Sequence, residues 1–82
     1  MEPPPVIYAV LPSGKRITLD AQATDTIAAV KAKIQVAEGI RVDAMLLHFG
    51  SKALSDDLAT VACYNIPPEG VIAVTLLGGG LS

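Results

Sequence analysis

One stretch of this chain repeats its aliphatic residues with the period of a helix. Ile27, Val30 and Ile34 fall at i, i+3 and i+7 and line a single face. Thr24-Asp25-Thr26 offers caps at its start, with Thr26 the best N-cap. Alanines fill the positions behind the stripe and favour the helix. Gly39 after Glu38 is a stop signal suited to the left-handed residue that ends many helices. The pattern predicts a helix over Ile27 to Glu38. A helix with one apolar stripe must lie against something apolar, and the rest of the chain supplies only strand-like segments to cover it.

Those strands are read from period-two alternation and turn residues. Val6 to Leu11 alternates. Pro12-Ser13-Gly14-Lys15 is a turn with a glycine able to take positive φ. Arg16-Ile17-Thr18-Leu19-Asp20 alternates again, with Ile17 and Leu19 facing in. Together they predict a β-hairpin. Met45 to Phe49 reads as a short strand, Gly50-Ser51 as a turn, and Lys52-Ala53-Leu54 as a very short strand. Ser55 to Tyr64 is a mixed connection with room for a short helical turn, Asn65 to Gly70 a loop, and Val71 to Leu77 the last strand. The order β-β-α-β-β-β predicts an α+β domain in which one helix crosses one face of a mixed sheet of four to five strands. The last strand is expected beside the first, because the helix crossover leaves that position open. Ile7, Ala9, Ile17, Leu19, Ile27, Val30, Ile34, Leu47, Leu54, Val61, Ile66, Ile72 and Val74 are the expected core. There is no internal repeat.

At 82 residues the chain is one domain, placed at residues 6–77. Met1 to Pro5 is expected to be a flexible proline-rich leader without the spacing of a recognition motif. Residues 78–82 are expected to be a flexible tail. Hydrophobic residues make up 51% and aromatic ones 4%, so the core must be aliphatic. Six basic residues against eight acidic ones leave a net charge of −2, which argues against nucleic acid or an anionic membrane as partner. The single cysteine, Cys63, excludes an internal disulfide framework, and there is no CxxC or Cys/His set to hold a metal. No cofactor is implied. A thiol nucleophile needs a nearby base, and no motif links Cys63 to the lone histidine, His48, so no catalytic residue is assigned and the chain is not expected to be an enzyme. A reducing compartment, cytoplasmic or nuclear, is expected, with no signal-peptide pattern at the start. The mean hydropathy of +0.51 is high for a small soluble protein and predicts exposed apolar surface that binds other proteins.

The chain closes on Leu77-Gly78-Gly79-Gly80-Leu81-Ser82, directly after a strand. Three glycines cannot pack a core. They make either a linker or a thin tail able to thread an enzyme cleft too narrow for any Cβ.

The stretch Asp25-Thr26-Ile27-Ala28-Ala29-Val30-Lys31-Ala32-Lys33-Ile34-Gln35, followed by Glu38-Gly39-Ile40, resembles the ubiquitin family, as do Gly14-Lys15 with Ile17-Thr18-Leu19, and Tyr64-Asn65-Ile66. The match runs from about Val6 to Leu77 in order and spacing, apart from one extra residue between Ser55 and Thr60. The resemblance implies a β-grasp fold. It also implies a modifier or fusion leader processed after its glycines Gly78, Gly79 and Gly80, with Gly79-Gly80 or Gly78-Gly79 as the new end, whose freed carboxylate is adenylated by an activating enzyme and passed through a thioester to a target lysine. The runner-up is a domain that never conjugates and docks a proteasome, chaperone or other receptor. The expected partners are therefore proteins, namely a processing protease, activating and conjugating enzymes or docking receptors, and the chain is expected to be monomeric.

The resemblance implies further roles. Family members bind receptors through an aliphatic trio whose positions here are Pro12, His48 and Thr75, with Ala73 in place of a histidine. Val6, Tyr8 and Val10, turned outward by alternation, form a replacement patch, with scattered surface apolars as the plainer reading. Lys15, Lys31, Lys33 and Lys52 match lysines that accept further ubiquitin, and Lys15, Lys33 and Lys52 are candidate modified residues; ordinary solvated lysines are the simpler reading. Lys31, four residues after Ile27, is expected partly buried and paired with Asp56. The tail departs from the family in lacking arginine, with Leu77 nearest the position an activating enzyme reads.

Overall fold

The computed structural model describes residues 6–77. The expectations placed on Met1 to Pro5 and on Gly78, Gly79, Gly80, Leu81 and Ser82 lie outside the described residues. Five strands and one helix follow in the order β1 (Val6–Val10), β2 (Arg16–Asp20), α1 (Ile27–Glu38), β3 (Met45–Phe49), β4 (Lys52–Ala53) and β5 (Val71–Leu76), with single 3-10 turns at Val42–Ala44 and Ala62–Tyr64. The sheet order is β2-β1-β5-β3-β4. β1 pairs antiparallel with β2 and parallel with β5, and β5 pairs antiparallel with β3. The last strand thus enters beside the first, and the sheet is mixed.

The helix has the bounds its periodicity predicts. The Thr26 hydroxyl accepts from the Ala29 N–H at 3.1 Å. Gly39 takes φ 75° and donates its N–H to the Gln35 carbonyl at 2.7 Å, a geometry that costs a residue with a Cβ. Two more of the first-turn donors find partners in the loop after β4: the Ile27 and Ala28 N–H groups donate to the carbonyls of Ala59 and Asp57 at 2.9 and 3.1 Å. The same loop donates back through the Val61 N–H to the Asp25 carbonyl at 2.8 Å. This stitching fixes residues 57–61 against the start of the helix.

Ile27, Val30 and Ile34 of α1 pack on the inward residues of the sheet: Ile7 and Ala9 of β1, Leu19 of β2, Met45 and Leu47 of β3, and Ile72 and Val74 of β5. Leu54, Val61 and Ile66 close the bottom of this core. Each fully buried aliphatic side chain contributes on the order of 1.5–3 kcal/mol before chain entropy is counted. Ile17, expected inside, is only partly buried: it packs against the core at the hairpin-turn end of edge strand β2, while Leu19 further along the same strand is buried. Leu11, Ala21 and Met45 are buried although the core expected from sequence omits them. Each continues the inward phase of its strand by one step, so the alternation carried the signal. Gly70, just before β5, is needed for a close approach: a Cβ there would lie 3.0 Å from Ile66 Cγ2 and from the Pro67 carbonyl. Its own carbonyl accepts from the Tyr8 N–H at 2.8 Å and starts the β1–β5 pairing.

Candidate functional site

With one face of the sheet under the helix, the opposite face collects the alternate residues of the four longer strands. Register makes them rows. His48 lies opposite Ala73, Ala73 opposite Val10, and Val10 opposite Arg16. Leu46 lies opposite Thr75, and Tyr8 is flanked by Val71 and Thr18. Val6 stands opposite Asp20 at the far corner. Two groups of residues singled out in the sequence, His48, Ala73 and Thr75 on one side and Val6, Tyr8 and Val10 on the other, therefore form one continuous surface. Val10 and Ala73 are the seam between them. Pro12 is exposed in the β1–β2 turn.

Ala73 and Thr75 are exposed, whereas His48, Val6, Tyr8 and Val10 are half-buried by their neighbours. Val71 adds an aliphatic side chain that is 47% exposed, and Leu76 and Leu77 at the end of β5 are 51% and 48% exposed. The charges on this face, Arg16 and Asp20, both belong to β2 at its rim. The Arg16 guanidinium sits over the Tyr8 ring, 4.9 Å from its centroid, and shields part of it. Leu46 and Val71 went unnoticed in the sequence as members of this face. The signal was present in the alternation, but which strands lie side by side decides whether it forms a patch.

The end of the last strand is the second half of the site. The Leu77 N–H donates to the Ala44 carbonyl at 2.8 Å, which holds the chain at the surface where the glycines begin in the sequence.

The lysines are separately placed. Lys15 Nζ is 3.0 Å from Glu38, Lys33 Nζ is 3.9 Å from Asp25, and Lys52 Nζ lies 5.9 Å from the centre of the Tyr64 ring. Lys31, expected partly buried and paired with Asp56, is buried, and its partner is not Asp56. Its Nζ donates to Asp57 Oδ1 at 2.9 Å. Asp56 is engaged in its own turn: its Oδ1 accepts from the Leu58 N–H, and its N–H donates to the Tyr64 hydroxyl, both at 3.1 Å.

Cys63 is exposed and hydrogen-bonded to Thr60, whose side chain and backbone draw the thiol below its ordinary pKa. Its N–H donates to Thr60 Oγ1 at 3.2 Å. Among the described residues no group of three or more His, Cys, Asp or Glu is placed to hold a metal ion, and no helix is long and apolar enough to cross a membrane. What the site offers chemically is a shaped aliphatic surface and an exposed strand end.

A mixed five-stranded sheet of this order with one helix across it is the β-grasp architecture. The ubiquitin family model matches residues 9–76, and the chain belongs to that family. Ubiquitin-like domains act through contacts with other proteins.

Proposed function

We propose that this chain is a protein modifier or a fusion leader, processed after its C-terminal glycines and read by other proteins through the outer sheet face. The observation that carries this reading is the exit of β5: the chain leaves the sheet at half-exposed Leu76 and Leu77, and the next three residues are glycine. Hydrolysis of the peptide bond after Gly79 or Gly80 would release a carboxylate without a side chain in its last positions. Activation in this family consumes ATP to form the acyl adenylate with loss of pyrophosphate. A thiol then displaces AMP, and a target amine displaces the thiol. The chain supplies no catalytic group to these steps. It supplies a reachable carboxylate and a recognition surface.

A second reading is a docking domain that is never cleaved, favoured by the outer sheet face, where Val10 and Ala73 lie side by side next to His48 and a receptor could bind without any use of the tail. One experiment separates the two. The protein, tagged at both ends, is incubated in lysate from its own source cells beside a Gly79→Ala/Gly80→Ala double variant, and intact mass is measured. Loss of the C-terminal tag with new higher-mass adducts, both absent in the variant, is the expected result for a conjugated modifier. Tag loss alone identifies a leader. An intact tail without adducts overturns processing and leaves the docking domain.

A further inference from the structure

The two edges of the sheet differ. β4 is two residues long and offers almost nothing to pair with. β2 is five residues long, and none of its backbone groups bonds outside its own hairpin among the described residues. An edge strand of this length is a template for another strand. Beside it, between β2 and α1, runs an open, mainly apolar groove of about 530 Å³ lined by Leu19, Val36 and alanines of α1 together with the charged residues Asp20 and Lys33. Val36 is 89% exposed, on a helix that has no charged residue in its first turn and no basic one in its last. The fold therefore leaves a free ladder next to uncovered apolar surface.

The side chains along β2 specify what fits. Arg16, Thr18 and Asp20 share the outer face, and opposite charges stand two residues either side of Thr18. An antiparallel strand centred on Thr18 with the same sequence puts Arg16 opposite Asp20 of the second copy, Asp20 opposite Arg16 of the second copy, and Thr18 opposite itself. Cross-strand pairs of opposite charge and of threonine are the favourable kinds. A shift of the two-fold centre to Ile17 or Leu19 sets Arg16 against Thr18 or Gln22 and loses both charge pairs. A shift of half that step turns the inner side chains to the wrong face. Charges on an edge strand ordinarily repel partners; these two, placed symmetrically and of opposite sign, exclude most strands and match their own copy.

We infer that the free edge of β2 is a self-association site, at which two copies join antiparallel about Thr18 into one continuous sheet. The arrangement is isologous and closes on itself. It also sets both helices on the same side of the joined sheet, with the two apolar grooves meeting at the seam. The contact is a short ladder, so the dimer is weak and depends on concentration. Such a dimer departs from the monomer expected from the sequence and does not depend on tail processing.

The test is sedimentation equilibrium on the full chain from micromolar to millimolar concentration, for the wild type, Arg16→Asp, Asp20→Arg and the double variant Arg16→Asp/Asp20→Arg. The wild-type mass should rise from 8.4 kDa towards twice that value. Each single variant sets like charges opposite each other twice and should weaken association by about tenfold or more. The double variant restores both pairs with the signs exchanged and should associate as the wild type does. Circular dichroism in dilute solution checks that each variant is folded, and the double variant serves as a second control because it carries both substitutions. A wild type that stays monomeric throughout overturns the inference. So do single variants that associate as the wild type does, or a double variant that stays as weak as the folded single ones.

Discussion

Lys31 is the one charged side chain buried among the described residues, and its ammonium group is held by Asp57 at 2.9 Å. The pair is asymmetric: the lysine side chain is 9% exposed and the aspartate 49%. Removing the acid leaves a buried cation with nothing to answer it. For a fully buried pair that costs about 3–5 kcal/mol. Here water reaches the acid and screens the interaction, so Asp57→Ala should lower the unfolding free energy by about 1–2 kcal/mol. Lys31→Met keeps the packed stem and removes the charge, and should stay within about 1 kcal/mol of the wild type. Urea unfolding of both variants checks the two values, and a larger loss in Lys31→Met than in Asp57→Ala would refute the account. The burial of Lys31 was legible, since it stands one turn from Ile27 on the border of the stripe. The identity of its partner was not. Asp56 and Asp57 are adjacent in the same loop. The choice was made by the backbone bonds that tie residues 57–61 to the helix start, which no local pattern displays.

The helix shows what agreement between signals achieves. An N-cap, a stripe and a C-terminal glycine marked the same twelve residues, and the fold uses all three. Thr26→Ala removes the acceptor for the Ala29 N–H and should cost about 1 kcal/mol. Gly39→Ala forces a Cβ into the left-handed region and should cost a similar amount, about 1 kcal/mol. In a domain of this size each should lower the melting temperature by about 4–8 °C, read by far-UV circular dichroism. These losses should add in the double variant, because the two caps sit at opposite ends of the helix and share no partner. Weaker elements were less legible for a matching reason. The 3-10 turn at Val42–Ala44 has no side-chain cap, and β4 is held by its pairing with β3 and not by any propensity of its own.

At the scale of the molecule, β5 is the centre. It bonds to β1 on one side and β3 on the other, and it brings Ile72 and Val74 to the middle of the core. A chain ending at Gly70 retains the hairpin, the helix and β3 but has no strand to join them. It should show no cooperative unfolding transition, whereas a chain ending at Leu77 should unfold cooperatively; thermal and urea melts distinguish the two. The position of β5 could be inferred from the order of elements and the helix crossover. The outer face does not follow from element order: the resemblance groups His48, Ala73 and Thr75, and the register joins Val10 to them. His48, Ala73 and Val10 are far apart in the sequence, and only the register of three strands puts them in one row. The same holds for the groove beside β2, whose walls come from a strand edge and a helix that alternation treats separately.

The order in which a ribosome releases these elements follows from that central strand. The hairpin and helix emerge first and wait with their apolar faces uncovered. The domain closes only when residues 71–76 are free, at a synthesis rate of about 5–20 residues per second. The last element this domain needs is also the one next to the glycines. A nascent chain therefore completes its outer sheet face only when the strand that leads into the glycines is free. Timing, and not only shape, is written into the choice of the final strand as the keystone.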